Sequence, residues 1–204
     1  MPGYFKSEGS KELVAIDPPV GVLPGYVRRE PSVLYMRSKI FSLKDTEFPI
    51  TDGNGDVVVR VTAPSLSFKF RRDILDDAGN VLFKLHCPPL RLLAKVIAMD
   101  ADDREVFVVE NRFTVKTKMT VTFTNYNSKQ KETLHLEGDM LGRSADIRLA
   151  DGRVVAQLDR QLFKKGEITS NKESYFVWIA PGVDLALLAS LCVAFSVIKE
   201  QYGQ

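Results

Sequence analysis

Residues 181–200 read PGVDLALLASLCVAFSVIKE, and the apolar run inside them, Leu185 to Ile198, decides the fold. Because Ser190 and Ser196 alone interrupt this run, a helix here is hydrophobic on nearly every side and must be surrounded by protein or by lipid. Spanning a bilayer takes about 20 apolar residues, and this run is shorter. The pattern therefore predicts a helix buried inside the protein, with Asp184 as its N-cap.

A pattern that occurs three times places a turn glycine between two β-forming segments. Gly55, Gly79 and Gly152 each follow an isoleucine by five positions and precede a run of β-forming residues. Glycine tolerates the positive φ angle that a tight hairpin turn requires. Alternate residues after each turn are apolar and are predicted to face inward. They are Val57, Val59 and Val61; Val81, Phe83 and Leu85; Val154, Ala156 and Leu158.

Two further segments alternate apolar and polar side chains every second residue, as β-strands do. They are residues 66–71 and the long run from residue 113 to residue 123. Together with the hairpins, these segments predict a mainly β protein, in which a shell of strands surrounds the single apolar helix.

The first 31 residues differ in composition from the rest of the chain. Residues 1–31 are rich in proline and glycine and are predicted to form a flexible N-terminal arm, which docks through Val20, Val22 and Leu23. Residues 32–204 are predicted to form the β domain.

Composition is that of an ordinary globular protein, with 45% hydrophobic and 26% charged residues among 204. The net charge of +2 is too small to indicate a nucleic-acid partner, and none is expected. Cys87 and Cys192 are too few for a disulfide framework and are expected to be reduced. Residues 1–11 lack the apolar core of a signal peptide, so an intracellular, cytoplasmic location is expected.

Three motifs together resemble the LURP-one-related family, which is grouped with the tubby C-terminal-like and phospholipid scramblase proteins. The motifs are Ile50 to Gly55, Leu75 to Gly79 and Pro181 to Ser190, and the resemblance extends from about Ser32 to Gln201. It implies a closed antiparallel barrel of about a dozen strands around the hydrophobic C-terminal helix.

The resemblance also implies a function. Tubby domains bind phosphoinositide head groups, scramblases act at membranes, and plant LURP-one-related proteins are linked to pathogen defence. The implied function is a non-enzymatic binding module that attaches peripherally to anionic phospholipid in signalling or defence. One alternative is a scaffold for protein partners with no lipid ligand, and another is a scramblase-like lipid-handling activity.

Six cations form the predicted binding site for an anionic head group. Lys69 and Arg71 alternate on one predicted strand with Arg72 beside them, and the others are assigned to a second strand. Cations on neighbouring strands could hold a phosphate through charge-assisted hydrogen bonds. Alternatively, they are ordinary exposed charges that prevent strand edges from pairing. The residues assigned to the second strand are Arg112, Lys116 and Lys118.

Other candidate sites have simpler interpretations. Residues 52–56 resemble the first half of a calcium loop, but Val57 and Ala63 occupy the positions that require glycine and an acid, so a turn is predicted. The acidic residues between positions 100 and 105 indicate a solvated loop. His86 and His135 lack zinc-ligand spacing, and no catalytic motif is present. No metal, cofactor or catalytic residue is therefore predicted.

Overall fold

The computed structural model describes residues 13–37, 47–63, 71–88, 94–112, 118–139, 144–161 and 174–202. In this part of the chain there are twelve strands and one long helix. The strands are β1 (Ser32–Arg37), β2 (Glu47–Asp52), β3 (Val57–Thr62), β4 (Arg71–Leu75), β5 (Val81–His86), β6 (Ala94–Met99), β7 (Glu105–Arg112), β8 (Lys118–Thr124), β9 (Lys131–Asp139), β10 (Ser144–Leu149), β11 (Val154–Gln161) and β12 (Ser174–Ile179). The helix is α1 (Leu185–Tyr202), and Pro24–Tyr26 forms a short 3-10 turn.

The strands form a closed antiparallel meander, in which each strand pairs with the next along the chain and β12 pairs with β1. Because strand direction alternates, the turns that follow β2, β4, β6, β8 and β10 all lie at one end of the barrel. The helix also begins there, directly after β12. We call this the turn end, and the opposite end, where β4 begins and β7 stops, the far end.

The three repeated glycines occupy the turns for which the sequence predicts them. Gly55, Gly79 and Gly152 have φ angles of 90°, 89° and 90°. Gly79 N–H donates to Asp76 O at 3.2 Å, and Gly55 and Gly152 make the equivalent bonds to Asp52 O and Leu149 O. The hairpin prediction is confirmed at all three positions.

A β-bulge after each of these turns changes which residues face inward. In the second hairpin Ile74 pairs with Phe83 but Leu75 pairs with Val81, so that Leu82 is an extra residue. The same shift occurs in the hairpins around Gly55 and Gly152. Of the three residues predicted to face inward after each turn, the second and the third are buried, as predicted. The prediction is wrong for the first, since Val57, Val81 and Val154 are only half-buried.

The helix fills the barrel, as the sequence predicts. Every residue from Leu185 to Ile198 is at most 5% exposed. Large side chains of the strands, such as Phe83 and Phe107, pack into the same core. Burying one leucine side chain stabilises a fold by about 1.5–3 kcal/mol, so this helix is a major source of stability. It continues four residues beyond the predicted apolar run, to Tyr202.

Polar side chains at the start of α1 and within it form hydrogen bonds with the backbone of the helix. Asp184 Oδ1 accepts the N–H of Leu187 at 3.0 Å, which confirms the predicted N-cap. Ser190 Oγ donates to Ala186 O at 2.7 Å, and Ser196 donates in the same way within its own turn. Both serines thus satisfy their hydroxyl groups without leaving the core.

No helix among the described residues combines the length and the apolar character of a membrane span.

Residues 13–31, which we call the strap, lie across the turn end. Val20 N–H donates to Gly182 O at 2.9 Å, and the N–H groups of Val22 and Leu23 donate to Asp184 Oδ2 at 3.0 and 2.7 Å. These are the three residues to which sequence analysis assigned docking. The division between arm and barrel domain at residue 31 stays a prediction.

Candidate functional site

The predicted cations belong to strand positions at the far end of the barrel. Arg71 and Arg72 open β4, Arg112 closes β7, and Lys118 opens β8. Lys69 and Lys116 lie outside the described residues. Two strands, β5 and β6, separate the β4 pair from the other two cations, so the described cations fall into two groups.

Within the first group, the structure separates Arg71 from Arg72. Burial alternates along β4, with Arg71 half-buried and Arg72 6% exposed, on the same side as the fully buried Ile74. Arg71 Nε lies 3.2 Å from Asp73 Oδ1, and Arg72 Nη1 donates to the backbone O of Arg71 at 2.9 Å. Arg72 therefore lies on the inner side of the barrel wall and does not extend an outer cationic surface beside Arg71.

In the second group, Arg112 and Lys118 occupy directly opposite positions of the β7–β8 ladder. The prediction that they lie on one continuous strand is wrong, because they lie on two antiparallel strands. The next strand along the ladder, β9, places Glu137 opposite Lys118. Like charges at directly opposite positions of an antiparallel pair are destabilising.

A third cation close to this pair was missed by sequence analysis. Lys95 on β6 lies opposite Glu110 on β7, and its Nζ is 3.4 Å from Glu110 Oε1. The alternation of apolar and polar residues could have indicated it, because Lys95 lies between Ala94 and Val96, which both face the core. Its charge is matched by a carboxylate, whereas the ladder position opposite Arg112 is occupied by another cationic residue.

Aspartates recur in the hairpin turns that follow β2, β4, β6 and β10 at the turn end. Asp52 Oδ1 accepts the N–H groups of Asn54 and Asp56 at 2.8 and 3.1 Å, so this segment is a hairpin turn, as predicted. In the β4–β5 turn, hydrogen bonds from Asn80, its side-chain amide first, lower the pKa of the half-buried Asp76. These aspartates stabilise their own turns and add negative charge to the turn end.

The acidic turn between β6 and β7 is built in the same way. Asp100 Oδ1 accepts the N–H of Asp102 at 2.9 Å and the N–H of Arg104 at 3.0 Å. Hydrogen bonds from Arg104, the backbone one first, lower the pKa of Asp100. Asp103 pairs with Lys84 at 2.7 Å. These carboxylates bind groups of their own turn and, through Asp103, a lysine of the neighbouring strand β5, and residues 101–104 are exposed, in agreement with the predicted solvated loop.

Both cysteines are free thiols buried in the core. Burial raises the pKa of Cys87 to about 11, although its Sγ also bonds to Lys95 O at 3.1 Å. Burial raises the pKa of Cys192 to about 12. The thiolate is the reactive form, so neither residue is suited to nucleophilic chemistry near neutral pH.

We therefore expect both thiols to be inert in the native protein. A disulfide reagent such as DTNB at pH 8 should release no thionitrobenzoate from the folded chain on the timescale at which it reacts with free cysteine. The same sample in guanidinium chloride should release two equivalents and serves as the control. Rapid native reaction of either thiol would contradict the burial of Cys87 or Cys192.

The structural class of this protein is a closed antiparallel barrel that encloses its own C-terminal helix and carries cations at the far end. The sequence model of the LURP-one-related family matches residues 32–196. The chain belongs to the LURP-one-related family.

Individual relatives agree with this assignment. Protein LURP-one-related 15 of Arabidopsis thaliana is 27% identical over 216 residues, which cover 97% of this chain and 95% of the relative. Protein LURP-one-related 1 of the same plant is 23% identical over 184 residues, covering 86% and 82%. An X-ray structure of an Arabidopsis thaliana protein aligns with a TM-score of 0.61 and 24% identity, over 90% of this chain and 98% of that one. It has the same fold, while the wider grouping with tubby-like proteins stays a prediction.

Proposed function

We propose that this protein is a non-enzymatic binding module that attaches peripherally to anionic phospholipid, with phosphoinositide head groups as ligand. The observation that carries the proposal is the opposition of Arg112 and Lys118 across the β7–β8 ladder. At opposite positions of the ladder, the arginine would supply a bidentate donor and the lysine a point charge, and both suit a phosphate group. Binding of a phosphate group would replace the repulsion between the two cations with two charge-assisted hydrogen bonds.

The aspartates of three hairpins lie away from the predicted cations. The hairpins that follow β2, β4 and β6 each carry at least two aspartates at the turn end, whereas Arg71, Arg112 and Lys118 belong to the far end. The negative charge of these three hairpins does not favour their contact with an anionic surface. Glu137, opposite Lys118, is the carboxylate with which a bound phosphate would compete.

Vesicle co-sedimentation tests the proposal. Neutral vesicles are compared with vesicles that contain phosphatidylinositol bisphosphate, at low and at physiological salt. We expect the Arg112→Ala/Lys118→Ala variant to lose about 2 kcal/mol of binding, which is about 30-fold in affinity, since each cation near an anionic surface contributes about 1 kcal/mol. Binding of the native protein should also weaken as salt rises, because salt screens exposed charges.

A matched control removes the same two residue types elsewhere. Arg29 and Lys131 are exposed and lie near the turn end. The Arg29→Ala/Lys131→Ala variant has the same net charge as the test variant and should bind as the native protein does. Equal losses in both variants would refute a site at the β7–β8 ladder and would indicate attraction by net charge alone.

One observation favours the alternative, a scaffold for protein partners. Tyr35 on β1 is 37% exposed and packs edge-on against Phe176 of β12, with ring centroids 4.9 Å apart. Exposed aromatic side chains are enriched at protein interfaces. Absence of vesicle binding at both salt concentrations would retire the lipid proposal and leave this function.

A further inference from the structure

The outer face of β11 carries a buried glutamine. Gln157 lies between Ala156 and Leu158, which both belong to the core, so alternation along the strand directs its side chain to the outside of the barrel. Gln157 is nevertheless only 8% exposed. A polar side chain buried to this degree normally has its hydrogen-bonding atoms satisfied, so the partners of this amide group need to be identified.

One end of the Gln157 amide group has a partner. Nε2 donates to Asp146 Oδ1 at 3.2 Å, and Asp146 also pairs with Arg148. Because a carboxylate accepts hydrogen bonds and does not donate them, this contact fixes Nε2 toward β10 and directs Oε1 away from it. Within the described residues, Gln157 Oε1 is buried and has no hydrogen-bond partner.

The residue on the other side of Gln157 also has an unpaired polar atom. Trp178 on β12 lies directly opposite Gln157 in the β11–β12 ladder. Its Nε1, which is a donor, is buried and finds no partner in the part of the chain that the structure describes. Opposite side chains of an antiparallel pair have Cβ atoms about 4.5–5.5 Å apart. An unpaired acceptor and an unpaired donor therefore belong to neighbouring side chains of the outer wall.

Aromatic side chains adjoin this pair of residues. Phe176 lies two residues before Trp178 and so belongs to the same face of β12. Tyr35 of β1 packs edge-on against Phe176, with ring centroids 4.9 Å apart, and is 37% exposed. An apolar side chain of a ligand bound at Gln157 and Trp178 would have these rings as neighbours.

One residue of an extended polypeptide matches the two unpaired atoms. In an antiparallel sheet, the N–H and the C=O of a hydrogen-bonded residue point to the same side and bond to the same partner residue. Here the N–H would donate to Gln157 Oε1, and the C=O would accept from Trp178 Nε1. A phosphate dianion supplies no donor and a metal ion supplies no acceptor, so neither satisfies both atoms.

We propose that Gln157 and Trp178 form a binding site for an extended, apolar segment of a partner protein. The backbone of one residue of the segment bonds to both side chains, and its own side chain packs against Tyr35 and Phe176. Since Gln157 Oε1 and Trp178 Nε1 are shielded from water, the half-buried indole ring turns outward as the segment binds. This inference rests on the alternative function, a scaffold for protein partners, and not on lipid binding.

The indole N–H signal of Trp178 in a ¹⁵N NMR spectrum tests the proposal, because Trp178 is the only tryptophan of the chain. The probe is N-acetyl-leucine N′-methylamide, in which the leucine supplies an N–H, a C=O and an apolar side chain. We expect the signal to move downfield and to saturate as Nε1 gains a hydrogen bond. The analogue with a methylated leucine nitrogen should bind at least about tenfold more weakly, because Gln157 Oε1 then stays unpaired.

Two glutamine variants locate the site. Gln157→Met removes the acceptor and keeps the length of the side chain, so it should weaken binding of N-acetyl-leucine N′-methylamide about tenfold. Gln130→Met makes the same change at an exposed position in the β8–β9 turn and should match the native protein.

Acetamide distinguishes a polypeptide ligand from a small amide. It offers an N–H and a C=O on one side but has no apolar side chain, so it should bind about tenfold more weakly than the leucine compound. Tyr35→Ser should weaken binding of the leucine compound and leave binding of acetamide unchanged.

Four results would overturn the proposal. They are an indole signal that no compound moves, equal binding of the leucine compound and its methylated analogue, equal behaviour of Gln157→Met and Gln130→Met, and binding of acetamide as tight as that of the leucine compound. The comparison of the two leucine compounds uses the native chain and is decisive even if Gln157→Met does not fold. Vesicle binding is a separate measurement, so failure of this site and failure of lipid binding are distinguishable.

Discussion

Replacing Leu188 with aspartate is expected to abolish the folded state. Leu188 is fully buried in the centre of the barrel. Truncating such a leucine to alanine costs about 2–5 kcal/mol, and an unpaired charge at the same place costs more than the truncation. Since domains are stable by only about 5–15 kcal/mol, Leu188→Asp should leave no soluble folded protein. The measurement is the soluble fraction after expression, with circular dichroism of any material recovered.

Val14→Asp is the matched control, because it introduces the same charge at a position that is 75% exposed. Its stability should lie within about 0.5 kcal/mol of the native protein, as for most surface substitutions. A Leu188→Asp protein with a native spectrum and a cooperative melt would show that the helix does not occupy the core.

Gly182→Ala is expected to destabilise the fold strongly. Gly182 has a φ angle of 84°, and a Cβ atom there would lie 2.1 Å from the backbone O of Ile16. The left-handed conformation costs a non-glycine residue about 1–2 kcal/mol. Overpacking against backbone costs about 1–3 kcal/mol more, so we expect a total loss of about 2–5 kcal/mol. Urea unfolding would measure it.

Gly79→Ala separates the cost of the left-handed conformation from the cost of overpacking. Its φ angle of 89° is nearly the same, but nothing lies within 4 Å of the added methyl group. This variant should lose only the conformational part, about 1–2 kcal/mol. If both variants lost the same stability, the contact between Gly182 and Ile16 would contribute nothing to the fold.

The local patterns of the sequence predicted most of the architecture. An apolar run with few interruptions cannot face water, so residues 185–198 had to be enclosed, and the turn glycines at 55, 79 and 152 had to adopt positive φ. The bulges were not predictable from one strand at a time. An extra residue such as Leu82 exists only relative to the partner strand, whose register depends on the whole barrel.

The candidate site was predicted in residue types but not in arrangement. The segment from residue 113 to residue 117 contains no glycine, proline, asparagine or aspartate, so the sequence carries no signal for the chain reversal between β7 and β8. Arg112 and Lys118 were consequently assigned to one strand. Arg72 was included in the predicted site as the neighbour of Arg71, and alternation along β4 places it on the inner side.

The sequence by itself determined the mainly β class, the hairpin turns, the enclosure of α1 and the N-cap at Asp184, because each depends on residues within one or two turns of the chain. Only the tertiary structure decided that the same Asp184 holds Val22 and Leu23, more than 160 positions earlier. It also decided that Arg112 and Lys118 occupy opposite positions of the β7–β8 ladder. These contacts arise when the barrel closes, and closure is set by the packing of all twelve strands around the helix rather than by the preference of any one segment.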